Sequence, residues 1–375
     1  MIGSPLMRSA WLTRGTSLSL VAGCVLALAC EESEDPPADG SPADAAVSAD
    51  ASVDARVADA GTGTKGDAGA VNTSDGGAAT TAKIGEFSLQ LVAPVAASET
   101  VSATAGYTAL LGKVFDGPAT ETTVWTKKDE AEGCTLLIPE VPFCETPCGS
   151  GNVCVADDKC QKSPSPIGLG TLSVKGVKLD TGSAAFTTDT TKDVKYAYQT
   201  PVGASLAYPA FAEGDALEFS LSGESGIAAF TLKGKGIATL ELVNGESYPL
   251  AAGKGLALAW KAAAQATASR ILLKLDISHH GGSKGKIECD VDDDGSFTIP
   301  AKLVDALTAL GVAGFPSVSI TRTSITSALT ARGRIDLRLF SYFDRPVEVP
   351  GLVSCTGDDT ECPTGKKCRD DKTCG

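Results

Sequence analysis

Between residues 84 and 350, apolar and polar side chains alternate in short runs. Ile271, Leu273, Leu275 and Ile277 alternate with Leu272, Lys274, Asp276 and Ser278. Val318 and Ile320 alternate with Ser319 and Thr321, and Ile335, Leu337 and Leu339 with Arg334, Asp336 and Arg338. A period of two with one polar face predicts half-buried antiparallel strands. Similar runs at 87–92, 108–115, 171–179, 216–221, 228–233 and 238–243 predict further strands, and Gly and Pro punctuate them at sandwich-like intervals. One stretch changes period. Leu303, Leu307 and Leu310 share a face at helical spacing, with Pro300 just before and Gly311 just after, which predicts a single short helix.

These elements predict an all-β body of antiparallel Ig-like β-sandwich domains with one short helix. We place the domains at 84–245 and 246–350; a single larger sandwich of that length is also compatible with the pattern. The stretch 260–340 resembles an Ig-like module frequent in uncharacterised bacterial exported proteins. The resemblance rests on Ile287-Glu288-Cys289, then Asp294-Gly295-Ser296-Phe297-Thr298-Ile299-Pro300, then a helix and a strand ending near Arg322. It implies a structural framework and no catalytic residue.

The cysteines add a second layer. Beyond residue 30 there are ten: Cys134, Cys144, Cys148, Cys154, Cys160, Cys289, Cys355, Cys362, Cys368 and Cys374. Cys148-x5-Cys154-x5-Cys160 recurs as Cys362-x5-Cys368-x5-Cys374. Gly151 and Gly365 match, Asp-Asp-Lys runs follow at 157–159 and 370–372, and Cys144 and Cys355 precede the trios. This is a duplicated four-cysteine module, one copy inserted at 134–160 and one at 351–375. Each copy is too small for a core, so disulfides would define it. Four cysteines allow three pairings, and spacing alone does not choose. Cys134 and Cys289 remain, and a bond between them would staple the two halves of the body. Five-residue gaps suit zinc poorly. The modules resemble short Cys-rich repeats of large secreted proteins from Gram-negative soil bacteria, a likeness that implies no activity.

The N-terminus supplies the oxidising compartment that disulfides need. Arg8 and Arg14 precede an apolar run, 18–29, that ends at Cys30 and is followed by acids. The run is shorter than the roughly 20 residues of a membrane span and reads as an export signal over 1–30. Leu26-Ala27-Leu28-Ala29-Cys30 resembles the lipobox of bacterial lipoproteins, which implies cleavage before Cys30 and acylation of it. Ala27 stands where Leu is usual, and Val21-Ala22-Gly23-Cys24 is an alternative box. Glu31 after Cys30 resembles the outer-membrane sorting class.

Charge divides the rest. Residues 31–83 hold eleven acids against Arg56, Lys65 and Lys83, a net of −8 in a chain of −14, with no aromatic residue. Such a segment buries too little apolar surface to order itself and is expected to be a disordered tether. The acid excess, without a basic patch, excludes nucleic acid as a partner class.

Candidate chemistry is sparse. Asp290, Asp292 and Asp294, followed by Gly295, resemble the start of a calcium-binding loop, although Ala301 stands where the loop's bidentate Glu belongs. The competing expectation is an acidic hairpin turn. His279 and His280 precede Gly281-Gly282 and are the only histidines. No nucleophile elbow, phosphate loop or dinucleotide fingerprint is present, and a Ser-His-Asp triad would have to draw on this His pair.

The expectation is therefore a lipid-anchored exported surface protein, with membrane contact through its anchor and a non-enzymatic binding or envelope-structural role. One alternative is a carbohydrate- or peptide-binding module using Trp125, Trp260, Tyr196, Tyr198 and Tyr208. The other is a metal-dependent hydrolase combining His279 or His280 with Asp290, Asp292 and Asp294.

Overall fold

The computed structural model describes residues 82–94, 103–190, 196–243, 245–265, 268–282 and 284–375. The export signal, Cys24, Cys30 and nearly all of the tether lie outside them. The described chain is built from strands, with one α-helix (α1, Ala301–Thr308) and one short 3-10 turn.

The strands run in order as β1 (Lys83–Val92), β2 (Tyr107–Phe115), β3 (Val124–Ala131), β4 (Cys134–Glu140), β5 (Asn152–Ala156) and β6 (Lys159–Lys162). Next come β7 (Pro166–Ile167), β8 (Leu172–Lys175), β9 (Ala185–Thr188), β10 (Tyr198–Gln199), β11 (Ala216–Leu221) and β12 (Phe230–Lys235). The last are β13 (Tyr248–Pro249), β14 (Leu256–Ala259), β15 (Arg270–Asp276), β16 (Lys286–Asp292), β17 (Ser296–Ile299), β18 (Ser317–Leu329) and β19 (Arg334–Glu348).

One large sheet carries the architecture, in the order β10-β2-β1-β19-β18-β15-β16-β4-β3. Along this order the neighbours are antiparallel except β1 and β19, which run parallel; off it, β13 also pairs parallel with β19. A four-stranded sheet, β12-β11-β8-β9, and the β14–β17 pair form separate layers.

Two apolar cores result. The first gathers Phe87, Leu89 and Leu91 of β1 with Val174, Phe219 and Leu232 of the smaller sheet and with Ile335, Leu337 and Leu339 of β19. The second gathers Ile271, Leu273 and Leu275 of β15 with Val318 and Ile320 of β18, Trp260, and Leu303 and Leu307 of α1. Alternation explains both, because inward residues of neighbouring strands fall in register: Phe87 with Leu337, and Leu273 with Ile320. Gly112 marks a close approach in the first core. A Cβ there would lie 2.4 Å from the Phe87 ring, which packs on Tyr198 at 5.3 Å.

Neither core is confined to one side of residue 245: the first takes Ile335, Leu337 and Leu339, the second takes Cys134, Leu136 and Leu240, and strands cross that point as well. β1 pairs with β19 and β4 with β16. The expected strand at 238–243 is not regular: Leu240 is buried and Leu242 makes only an isolated bridge to Trp260. The helix begins after Pro300, as expected, and ends at Thr308; Leu310 packs just beyond it.

All ten cysteines among the described residues are paired. Cys134 and Cys289 face each other across β4 and β16, with Cα atoms 4.0 Å apart. The inserted module pairs Cys144 with Cys154 and Cys148 with Cys160; the C-terminal module pairs Cys355 with Cys368 and Cys362 with Cys374. The duplication thus extends to connectivity, first to third and second to fourth. The cysteine register aligns Asp157 with Asp371 and Asp158 with Lys372, so the two Asp-Asp-Lys runs are offset by one residue. The backbone keeps this register: Asp158 and Lys372 both adopt positive φ, 54° and 60°, as do Gly151 and Gly365.

Candidate functional site

The acidic run lies at a corner of the fold. β16 ends at Asp292, and the chain turns through Asp293-Asp294-Gly295 into β17. β17 pairs with β14, not with β16, so the expected acidic hairpin is instead a turn that carries the chain from the large sheet to a second layer. Alternation sends Asp290, Asp292 and Asp294 outward, as the calcium pattern requires, but a cation of the chain already meets two of them. Arg270 Nε donates to Asp290 Oδ1 at 2.7 Å, and its Nη1 donates to Asp292. Asp294 accepts a long bond from the Ser296 amide at 3.5 Å.

The residue that the alternating pattern passes over is the one buried. Asp293 is fully enclosed and accepts four bonds: Trp260 Nε1 (2.9 Å), Ser269 Oγ (2.6 Å), Arg322 Nε (2.6 Å) and Arg322 Nη2 (2.8 Å). Arg322, 1% exposed, also donates to the carbonyls of Thr239 (3.0 Å) and Lys261 (2.6 Å). Burial pushes the Asp293 carboxyl up, but the bonds from Arg322, Ser269 and Trp260 together with the Arg322 charge outweigh it and hold it below the usual carboxylate value. The arrangement is a structural clasp with every lone pair occupied, which leaves no room for a reacting group. One signal for it exists in the sequence: Arg322 is in phase with inward Val318 and Ile320.

The His pair sits at the other end of the β15–β16 hairpin. Register sets Arg270 opposite Asp292 and Asp276 opposite Lys286, and the histidines lie beyond Asp276. At about 3.3 Å per residue, Asp292 is about 20 Å from the level of Asp276, and Asp290 about 13 Å. Metal–ligand bonds span about 2.0–2.6 Å, so the hydrolase site combining the histidines with these acids does not form.

The His279 and His280 rings touch each other, centroids 3.9 Å apart. Burial, and then the neighbouring His280, hold the His279 imidazole below its ordinary value. Their loop docks the C-terminal module. The Phe315 amide donates to His279 O at 2.8 Å, the Gly314 amide donates to Asp371 O at 2.7 Å, and Ser354 Oγ donates to Gly314 O at 2.6 Å. A Cβ at Gly281 would lie 2.6 Å from Asp371 O, and one at Gly314 would lie 1.9 Å from His279 O. The glycines after the histidines thus answer to packing.

The expected aromatic platform does not assemble. Trp260 and Tyr198 are core residues. The Tyr198 hydroxyl donates to Gly170 O and accepts from the Leu169 amide, and burial above all pushes it up to about 12. Lys286 Nζ covers Trp125 at 4.0 Å, and Tyr208 packs on Gly106. Among the described residues, the triads of clustered metal-ligand types are Cys144, Cys148 and Cys154, and Cys355, Cys362 and Cys374. Their sulfurs are committed to disulfides and offer no thiolate.

No family model matches the chain. No curated protein matches its sequence either.

Proposed function

We propose that this is an exported protein, lipid-anchored through Cys30, whose disulfide-braced β body serves a non-enzymatic binding role at the cell surface. The observation that carries the export reading is the set of five disulfides, one of which joins residues 155 apart in sequence. Such bonds form and persist in oxidising compartments. The lipobox-like segment before Cys30 and the acidic spacer after it agree with an anchor at that cysteine. The non-enzymatic reading draws on the engagement of the strongest candidate groups: Asp293 by Arg322, and Asp290 and Asp292 by Arg270. An Ig-like assignment for 260–340 is supported by the order strand, turn, strand, helix, strand from β16 to β18.

The test is metabolic labelling with a fatty acid, together with detergent-phase partition. Cys30→Ser is expected to lose the label and leave the detergent phase. If Cys24→Ser does so and Cys30→Ser does not, the anchor is Cys24. An unlabelled native chain would sink the anchor altogether.

A further inference from the structure

Strand register fixes a grid of side chains on the face of the large sheet that points away from both cores. Across β2, β1, β19 and β18, one row reads Leu111, Ser88, Arg338, Ile325, and the next reads Ala109, Gln90, Phe340, Thr323. Leu111 is 47% exposed and Ile325 43%. Arg338, between them, is only 7% exposed.

Arg338 lacks a paired anion; the Glu86 charge acts on it only from beyond ion-pair distance. Its Nε is buried without a hydrogen-bond partner, and among the described residues no carboxylate pairs with it. The acids of the preceding row are engaged elsewhere. Asp336 takes Ser327 Oγ at 2.7 Å, Arg334 Nε at 3.1 Å and Lys83 Nζ at 3.6 Å, while Glu86 takes Lys83 Nζ at 2.5 Å. Lys83, Arg334 and Arg338 therefore face two carboxylates, and one positive charge is unmatched in a chain of net −14. The guanidinium lies over the Phe340 ring at 4.4 Å, and Phe340 stacks with Tyr342 at 6.1 Å. That contact offsets only part of the cost of burying a cation. A buried polar group left without a partner calls for an explanation, and a ligand that brings the anion supplies one.

We propose that Arg338, flanked by Leu111 and Ile325, binds a carboxylated sugar ring, a uronate residue of a polysaccharide. A carboxylate takes two parallel N–H bonds from a guanidinium, and the apolar face of the same pyranose ring covers Ile325 on the adjacent strand; Leu111, two strands from Arg338 and about 10 Å away, meets a neighbouring ring of the polysaccharide. An acidic peptide fits less well. Extended peptides add to sheet edges through backbone bonds, whereas β19 lies inside the sheet between β1 and β18. One unmatched cation takes one carboxylate, so a single uronate residue of the polysaccharide occupies the site. The inference rests on the binding role proposed for the body.

The test is calorimetric titration of the full chain in detergent with trigalacturonate and with the neutral galactose trisaccharide. The acidic sugar is expected to bind at roughly millimolar affinity or tighter, and the neutral one at least about tenfold more weakly. Arg338→Gln should weaken acidic-sugar binding roughly ten- to hundredfold, the worth of a charge-assisted bond, without lowering the melting temperature. Equal binding of the two sugars, or no acidic binding, overturns the proposal. So does a marked fall in the Arg338→Gln melting temperature, which would make Arg338 structural. A short acidic peptide that binds as tightly as trigalacturonate overturns the choice of sugar. Ile325→Glu, at an exposed position, is a second arm: the added carboxylate should repel the ligand to a similar degree, and unchanged affinity counts against the site. The Cys30→Ser chain carries the same grid, so failure of the anchor and failure of sugar binding are read separately.

Discussion

Arg322 holds Asp293 by two bonds, Nε to Oδ2 at 2.6 Å and Nη2 to Oδ1 at 2.8 Å, in the interior of the second core. The pair joins β18 to the corner after β16, and the same guanidinium reaches the carbonyls of Thr239 and Lys261. Removing one partner strands the other in a low-dielectric site. Asp293→Asn or Arg322→Met should therefore each cost roughly 3–5 kcal/mol in denaturant unfolding, and the double change Asp293→Leu with Arg322→Met should cost less than the sum.

The same clasp predicts an acid limit. The Asp293 carboxyl titrates below its unfolded value of about 3.9, so its contribution is complete above that pH and is lost as pH falls through the lower folded value. Stability of the native chain minus that of Asp293→Asn, measured from pH 7 to pH 2, should shrink only below about pH 4. A difference that shrinks between pH 5 and pH 7 would contradict the assignment.

The Cys134–Cys289 bond closes a loop of 155 residues. Replacing both cysteines with serine should cost roughly 2–5 kcal/mol in chemical unfolding, the upper end following from chain entropy. Peptide mapping of the non-reduced chain should recover first-to-third and second-to-fourth linkage in both small modules. A first-to-second pair would refute the shared connectivity.

Gly281→Ala and Gly314→Ala should each undock the C-terminal module, because the added methyl group meets Asp371 O or His279 O inside contact distance. Faster hydrogen exchange and proteolysis across 351–375, with little change at β15, is the expected pattern. Uniform protection would show that the module does not depend on this loop.

Arg270 competes for the acidic run. Calcium below about 1 mM should leave the melting temperature of the native chain unchanged, while Arg270→Ala frees Asp290 and Asp292 to bind it weakly. A strong calcium response of the native chain would mean that the guanidinium is easily displaced.

How far the sequence reaches can be judged at particular residues. The pattern over 216–221 predicts a strand, and β11 spans Ala216–Leu221, because Leu217, Phe219 and Leu221 alternate into one core. β3 has no such signal: its Lys127, Lys128, Asp129 and Glu130 leave an edge strand that only pairing with β4 defines. The run at 238–243 has the signal without the strand, since the Leu240 amide is satisfied by Ser341 Oγ, 101 residues away. Period two also tells outward from inward. It places Asp290 and Asp292 outward and Asp293 inward, in phase with Val291, but it does not say that Arg322 meets the inward acid. Charge pairing is long-range, so neither the isolation of Arg338 nor the occupation of Asp290 by Arg270 can be read from spacing.

The parallel contact of β1 with β19 also determines how the body answers force. Chain enters β1 at Lys83 and leaves β19 at Glu348, and in a parallel pair those two points lie at opposite ends. Tension between the residues before β1 and those after β19 would load the rungs between the two strands together, in shear, instead of opening them one at a time. A protein held at its N-terminal end against flow or a bound surface would meet tension with its most resistant geometry.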